Sequence, residues 1–77
     1  MKTLIQKVKE ELKKVNLDLE EVKECNDKYI VNILENNEIV IKKWEVPKLL
    51  QLNKIKSFVD MTKKNVEMAK LLFVMNK

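Results

Sequence analysis

The chain of 77 residues contains no glycine, no histidine and no arginine, and Cys25 is its only cysteine. Without histidine there is no serine or cysteine nucleophile with a histidine base, and a lone cysteine supports neither a structural zinc site nor an internal disulfide. Without glycine, phosphate-binding loops and dinucleotide fingerprints are excluded as well. The composition therefore predicts a protein that is not an enzyme and that needs no cofactor or metal.

Arginine and alanine are replaced by residues of AT-rich codons: all 16 basic residues are lysine, and there is one alanine against eight asparagines. This bias is typical of a low-GC bacterium, or of a phage or mobile element that lives in one. No apolar run approaches the roughly 18–20 residues of a membrane span, and Met1 leads into a charged amphipathic pattern rather than a secretory leader. We therefore expect one small domain, residues 1–77, in a reducing bacterial cytoplasm.

The net charge of +4 is unevenly distributed along the chain. Residues 10–27 carry seven acidic side chains against three lysines, whereas the segments on either side are basic. Such asymmetry steers charged partners, but it is equally compatible with a solvated surface that binds nothing. The sequence leaves both interpretations open.

The first segment, residues 3–15, has the spacing of an amphipathic helix. Thr3 and Gln6 have the form of a capping box, and Asn16 is expected to end the helix in the left-handed conformation. The apolar residues that share one helical face are Leu4, Ile5, Val8, Leu12 and Val15.

Residues 28–44 predict a β-hairpin, because two β-branched runs flank Asn36-Asn37, and asparagine is the best substitute for glycine in a tight turn. With these two residues at the centre of the turn, Leu34 opposes Ile39. The same register places Asn32 opposite Ile41, Ile30 opposite Lys43, and Tyr29 opposite Trp44. It does not decide which face of the hairpin is buried.

Residues 17–24 are predicted to add a third strand, since an isolated hairpin is marginally stable and Asn26-Asp27 is a suitable turn. A helix over residues 17–25 is the alternative, and it would give a helix-turn-helix followed by a β-wing.

Pro47 is expected in the first turn of a helix over residues 47–59, and Thr62 is expected to cap a second helix over residues 62–75. One continuous helix from 47 to 76 would be roughly 45 Å long, which is long for so small a domain. Within the last helix, the residues expected to face inward are Val66, Ala69, Leu72 and Phe73. Those expected to face outward, either to complete the core or to form a self-association surface of a homodimer, are Leu71, Val74 and Met75. The predicted fold class is therefore α+β: an N-terminal helix, an antiparallel hairpin or three-stranded meander, and two C-terminal helices.

The candidate partner-binding residues are of three kinds: acidic, basic and aromatic. The acidic group would dock on a basic partner or form a solvated face, and the aromatic pair would anchor a protein partner or cap the core. The lysines would contact phosphates without base readout, because arginine is absent. The residues are Glu20, Glu21, Glu24, Asp27, Tyr29, Lys42, Lys43 and Trp44.

In size and order of elements, the chain resembles small accessory proteins of phages and mobile elements, among them anti-CRISPR inhibitors. The resemblance lies in the segments Thr3–Val15, Tyr29–Trp44 and Pro47–Met75 and in no specific motif. It implies an inhibitor that binds a protein or ribonucleoprotein of bacterial defence, or another host nucleoprotein, and blocks it sterically. Many such inhibitors are acidic mimics of DNA, whereas this chain is basic, so only residues 18–27 could imitate DNA locally.

Two other functions are compatible with the sequence. The first is a small lysine-rich nucleic-acid-binding or regulatory protein of a phage-like element. The second is a self-assembling structural protein that uses the C-terminal helix. A membrane partner is not expected.

Overall fold

The computed structural model describes the backbone of residues 3–75 and the side chains of residues 3–72. The predicted α+β order is confirmed, with an N-terminal helix, a three-stranded antiparallel meander and a C-terminal helical segment. The elements are α1 (Leu4–Lys13), β1 (Asp18–Glu24), β2 (Lys28–Glu35), β3 (Glu38–Pro47), a 3-10 helix (Leu52–Lys54) and α2 (Ile55–Met75).

Both predicted caps of α1 are present. The Thr3 hydroxyl accepts a hydrogen bond from the Gln6 backbone, and the Gln6 side chain accepts one from the Thr3 backbone, which completes the capping box. At the other end, Asn16 has a φ of 65°. The Leu17 N–H then donates to the Leu12 carbonyl at 2.9 Å, so the chain reverses in a Schellman motif and delivers Leu17 to the core.

The predicted third strand is confirmed, and the alternative helix over residues 17–25 is wrong. The strand is β1, which lies at one edge of a sheet with the order β1-β2-β3. The hairpin turn is also confirmed: Asn36 and Asn37 have φ values of 54° and 64°, as a two-residue turn of the I′ kind requires. Next to the turn, Leu34 pairs with Ile39 as predicted.

Farther from the turn, the predicted register is wrong. Ile41 pairs with Ile33 rather than with Asn32, Trp44 pairs with Val31, and Tyr29 pairs with Val46. Tyr29 and Trp44 are therefore not opposed. The register shifts twice along β3, and an extra residue at each shift is a β-bulge that alternation of side chains alone does not reveal.

The two predicted C-terminal helices are replaced by one, and Pro47 ends β3 instead of starting a helix. As the last residue of an edge strand, Pro47 has no ladder partner to lose on its outer side. Thr62 lies inside α2 rather than at its start, and its hydroxyl donates to the Phe58 carbonyl one turn earlier. The molecule tolerates a 21-residue helix because it is elongated, with principal extents of 44 × 23 × 19 Å.

Both helices pack on the same face of the sheet, α1 against β1 and α2 against β3 and α1. Side chains from every strand and both helices meet there, and Thr62 is the only polar side chain among those of residues 3–72 that are buried. Neither helix within residues 3–75 combines the length and apolarity needed to cross a membrane. The core residues are Val8, Leu12, Leu17, Leu19, Val31, Ile33, Val46, Ile55, Val59 and Val66.

The left-handed turn generates a prediction about Asn37. Glycine adopts positive φ without steric cost, so Asn37→Gly is expected to raise the free energy of unfolding by about 0.5 kcal/mol. Asn65→Gly, inside α2, is the matched control. It should lower the free energy of unfolding by a similar amount or more, because glycine is unfavourable within a helix. Urea unfolding measures both, and destabilisation by Asn37→Gly would contradict the turn geometry.

Candidate functional site

The sheet face opposite the helices carries a mixed apolar and charged surface, which we call the open face. Ile30 and Leu34 are half-buried, but neither is among the described apolar side chains that pack against the core, and Ile39 is 41% exposed. Cross-strand pairing arranges this face in three rows: Asp18-Leu34-Ile39, Glu20-Asn32 and Lys23-Ile30-Glu45.

Asn32 lies at the centre of the open face and contacts both neighbouring strands. Its carboxamide nitrogen donates to the Glu21 carboxylate at 2.9 Å, and its oxygen accepts the backbone N–H of Lys43 at 3.3 Å. Glu21 and Lys43 are also the residues at which the outer strands bulge, with φ values of 54° and 57°. One side chain therefore bridges two bulges in unfavourable left-handed conformations.

The bulges at Glu21 and Lys43 lie on the two edges of the sheet. An unpaired edge is a template for pairing with another strand, and bulges and charged side chains are devices that prevent it. β1 combines the Glu21 bulge with exposed Glu20, and β3 combines the Lys43 bulge with exposed Lys42. Strand addition is therefore disfavoured at both edges, and a ligand is better accommodated on the open face.

The predicted acidic residues do not form one site. Glu20 is on the open face and Glu21 bonds Asn32, but Glu24 forms an ion pair with Lys48 at 2.8 Å. This pair raises the pKa of Lys48, chiefly through its hydrogen bond to Glu24. Asp27 is in the turn between β1 and β2, where its carbonyl accepts the Lys48 N–H.

The predicted aromatic residues lie on the helix side of the sheet. The Trp44 indole N–H donates to the Thr62 hydroxyl at 3.0 Å, and its ring packs 6.4 Å from Phe58. The Tyr29 ring lies under the Lys48 ammonium, at 5.4 Å. Trp44 thus joins β3 to α2, and its role as an anchor for a partner stays a prediction.

A cleft of about 630 Å³ opens between the hairpin turn and the C-terminal half of α2. Its walls include Ile39, Val40, Val66 and Ala69, and Glu35 and Lys70 lie at its polar side. The Glu35 carboxylate, whose side chain is only 13% exposed, forms ion pairs with Lys70 and, at 3.2 Å, with Lys63. The polar end of the cleft is therefore already occupied by this chain's own charges.

The ion pairs lower the pKa of Glu35. The hydrogen bond from Lys70 lowers the pKa of Glu35 most, partial burial opposes it, and Lys63 lowers the pKa further. The ion pairs therefore favour the ionised carboxylate and tie the end of β2 to α2.

Within the described part of the chain, no three Cys, Asp or Glu side chains are grouped so that they could hold a metal ion. Cys25 is a free thiol of intermediate burial.

Sequence reasoning missed Asn32, Glu35 and the exposure of Met61 and Met68 on the outward side of α2. Asparagine inside a β-branched run is unusual, and this signal could have indicated the bulges around Asn32. No local sequence pattern predicts the ion pairs of Glu35, because its lysine partners are 28 and 35 positions away along the chain. Of the predicted outward residues, Leu71 is 62% exposed, whereas Val74 and Met75 lie outside the described side chains. Leu72, predicted to face inward, is exposed instead, because Val59, Thr62 and Val66 define a different side of the helix.

Comparison of the chain with protein-family models, curated proteins and solved structures gives no match in any of the three. A function must therefore be argued from the residues and their geometry.

Removal of the Asn32 side chain tests the bridge between the bulges. Asn32→Ala removes a hydrogen bond on each side and is expected to lower the free energy of unfolding by about 1–2 kcal/mol. Amide hydrogen exchange at Lys43 should accelerate. Asn53→Ala, on the exposed 3-10 helix, is the control and should change stability by less than about 0.5 kcal/mol. Unchanged exchange at Lys43 would contradict the bridge.

The Glu35 ion pairs predict a pH dependence. A carboxylate whose pKa is lowered by folding stabilises the protein above its unfolded pKa of about 4.3, and this contribution is lost as the pH falls through the folded pKa. Glu35→Gln should therefore cost about 1 kcal/mol at neutral pH and progressively less below about pH 4. Glu38→Gln, on the other side of the turn, is the matched control. A cost for Glu35→Gln that does not vary with pH would contradict the ion pairs.

Proposed function

We propose that this chain is a non-enzymatic module that binds a protein or ribonucleoprotein through the open face and acts by steric occlusion. The observation that carries the proposal is the one-sided covering of the sheet. The two helices pack on one face, while Ile30, Leu34 and Ile39 lie on the other face and are not among the described side chains that pack against the core. Apolar centres with charged rims are the usual composition of protein interfaces.

The charges of the open face favour a protein over a nucleic acid. Its rim carries both signs, since Asp18, Glu20 and Glu45 accompany Lys23. Two of these carboxylates form ion pairs with lysines of this chain, Asp18 with Lys9 and Glu45 with Lys28. The rim therefore offers no excess of positive charge to a phosphate backbone. A protein surface, in contrast, supplies charges of either sign.

The lysines support the same preference. Three lysines in the second half of the chain, Lys48, Lys63 and Lys70, are engaged with carboxylates of this chain and are not free to contact phosphates. The remaining lysines, Lys42 and Lys43 among them, leave nonspecific nucleic-acid binding as the alternative function.

The partner class rests on the resemblance in size and element order to small phage inhibitors. The proposal therefore takes its specific form as an anti-CRISPR-like protein that acts in the cytoplasm of a low-GC bacterium. In that form, a basic patch of the target would approach Glu20, and rim charges of this kind act mainly on the association rate.

Capture from a nuclease-treated lysate of a low-GC bacterium tests the proposal. Ile30→Ser and Ile39→Ser, which lie at opposite ends of the open face, should each reduce capture of a protein by about tenfold, because each removes an apolar contact from the interface. Leu49→Ser is the matched control, since Leu49 is 91% exposed in the turn after β3 and lies off the open face. Circular dichroism verifies that each variant is folded.

Three results would contradict the proposal. Capture that is insensitive to both isoleucine variants would exclude the open face, and capture that Leu49→Ser abolishes equally would exclude a defined interface. Capture that is lost on nuclease treatment would favour the nucleic-acid alternative. In that case the logarithm of affinity should fall with log salt by about 0.9 per phosphate contact.

A further inference from the structure

The outward side of α2 carries a second exposed apolar surface, separate from the open face. It consists of Met61, Met68, Leu71 and Leu72, which we call the methionine stripe. Met68 and Leu71 are each 62% exposed, and the other two are 46% and 57% exposed. In the sequence, Met61, Met68 and Met75 recur at the seven-residue spacing with which one helix presents a line of side chains to another.

Neither the sheet nor α1 covers this stripe. α2 faces the core with Val59, Thr62 and Val66, which are buried. At 100° per residue, Met61 and Met68 lie more than about 90° around the helix from the middle of that buried side. Methionine is flexible and polarisable, and its exposed clustering is typical of surfaces that pack against another helix.

We infer that the methionine stripe is the contact surface of a two-fold dimer in which α2 packs antiparallel against α2 of a second copy. With the axis close to residue 66, Met61 lies opposite Leu71 of the second copy, and the reverse pair forms on the other side of the axis. Met68 packs against the aliphatic stem of Lys64 of the second copy. Such an isologous arrangement is the commonest form of homodimer.

Charge complementarity specifies a second copy as the occupant. Around the helix, Lys64 lies within the stripe, between Leu71 and Met68, and Glu67 borders the stripe on the Leu71 side. Both are exposed, and neither forms an ion pair within residues 3–72. In antiparallel helices the same flanks meet. The axis near residue 66 therefore brings Lys64 next to Glu67 of the second copy, and it repeats the pair by symmetry. The methionine stripe and its flank thus supply both the lysine and the glutamate of each ion pair, as a contact between two identical copies requires.

Sedimentation of the full chain between about 10 µM and about 1 mM tests the dimer, since an interface of this small size associates weakly. The expected result is a reversible monomer–dimer equilibrium. Met68→Lys should raise the dissociation constant at least about tenfold while the helix content is unchanged, because Met68 is exposed in the monomer. Leu49→Lys is the matched control and should leave the equilibrium unchanged.

Charge exchange tests the antiparallel register. Lys64→Glu alone, or Glu67→Lys alone, turns both cross-copy pairs into like-charge contacts and should raise the dissociation constant about tenfold. When the two single variants are mixed, both pairs of the mixed dimer again join opposite charges, so a heterodimer should form with wild-type affinity. Effects confined to one helix cannot produce this recovery.

Several results would overturn the inference. These are a monomer up to about 1 mM, a dimer that is insensitive to Met68→Lys, and single charge variants that fail to recover on mixing. Loss by Met68→Lys of a protein captured from lysate, with a monomeric wild type, would assign the stripe to another protein. The proposed function is tested independently, since Ile30→Ser and Ile39→Ser lie on the open face and should leave the dimer intact.

Discussion

Burial of one sheet face by both helices is the constraint on which the rest of the structure depends. Three strands and two helices supply apolar side chains for a single layer of contact, in which Val8 and Leu12 of α1 and Val59 and Val66 of α2 meet the sheet. Within residues 3–75, no further helix or strand packs on the second face. The open face and the outward side of α2 are therefore consequences of how the small core is built.

Polar contacts hold this one-sided layer together at defined points. The Trp44 indole satisfies the buried Thr62 hydroxyl, which in turn bonds the Phe58 carbonyl, and no buried side-chain nitrogen or oxygen among the described residues lacks a partner. At the other end of the sheet, Glu35 joins β2 to α2 through Lys63 and Lys70. If α2 moved, the Thr62 hydroxyl or the Glu35 carboxylate would lose its partner. The free-energy cost of leaving such a group unpaired exceeds the net contribution of the contact, so the two contacts fix the position of α2.

The absence of glycine gives the turns and bulges an unusual composition. Asparagine takes the left-handed conformation at positions 16, 36 and 37, where its short polar side chain keeps the steric cost low. At Glu21 and Lys43 the same conformation is adopted by long charged residues, and both are bonded to Asn32. The bulged, charged edges discourage strand addition, and the two contacts that we propose therefore use the open face and the methionine stripe instead of a sheet edge.

Local signals in the sequence determined the caps of α1, the Asn36-Asn37 turn, the three strands and the α+β order, because each depends on residues within a few positions of one another. Only the tertiary structure decided the bulges around Asn32, the pairing of Tyr29 with Val46, and the continuity of α2 through Thr62. Those features depend on contacts between distant segments: Asn32 with Lys43, and Trp44 with Thr62. A bulge is defined by the pairing of its strand with the neighbouring strand, and a threonine that caps a helix looks the same in sequence as one that receives an indole N–H.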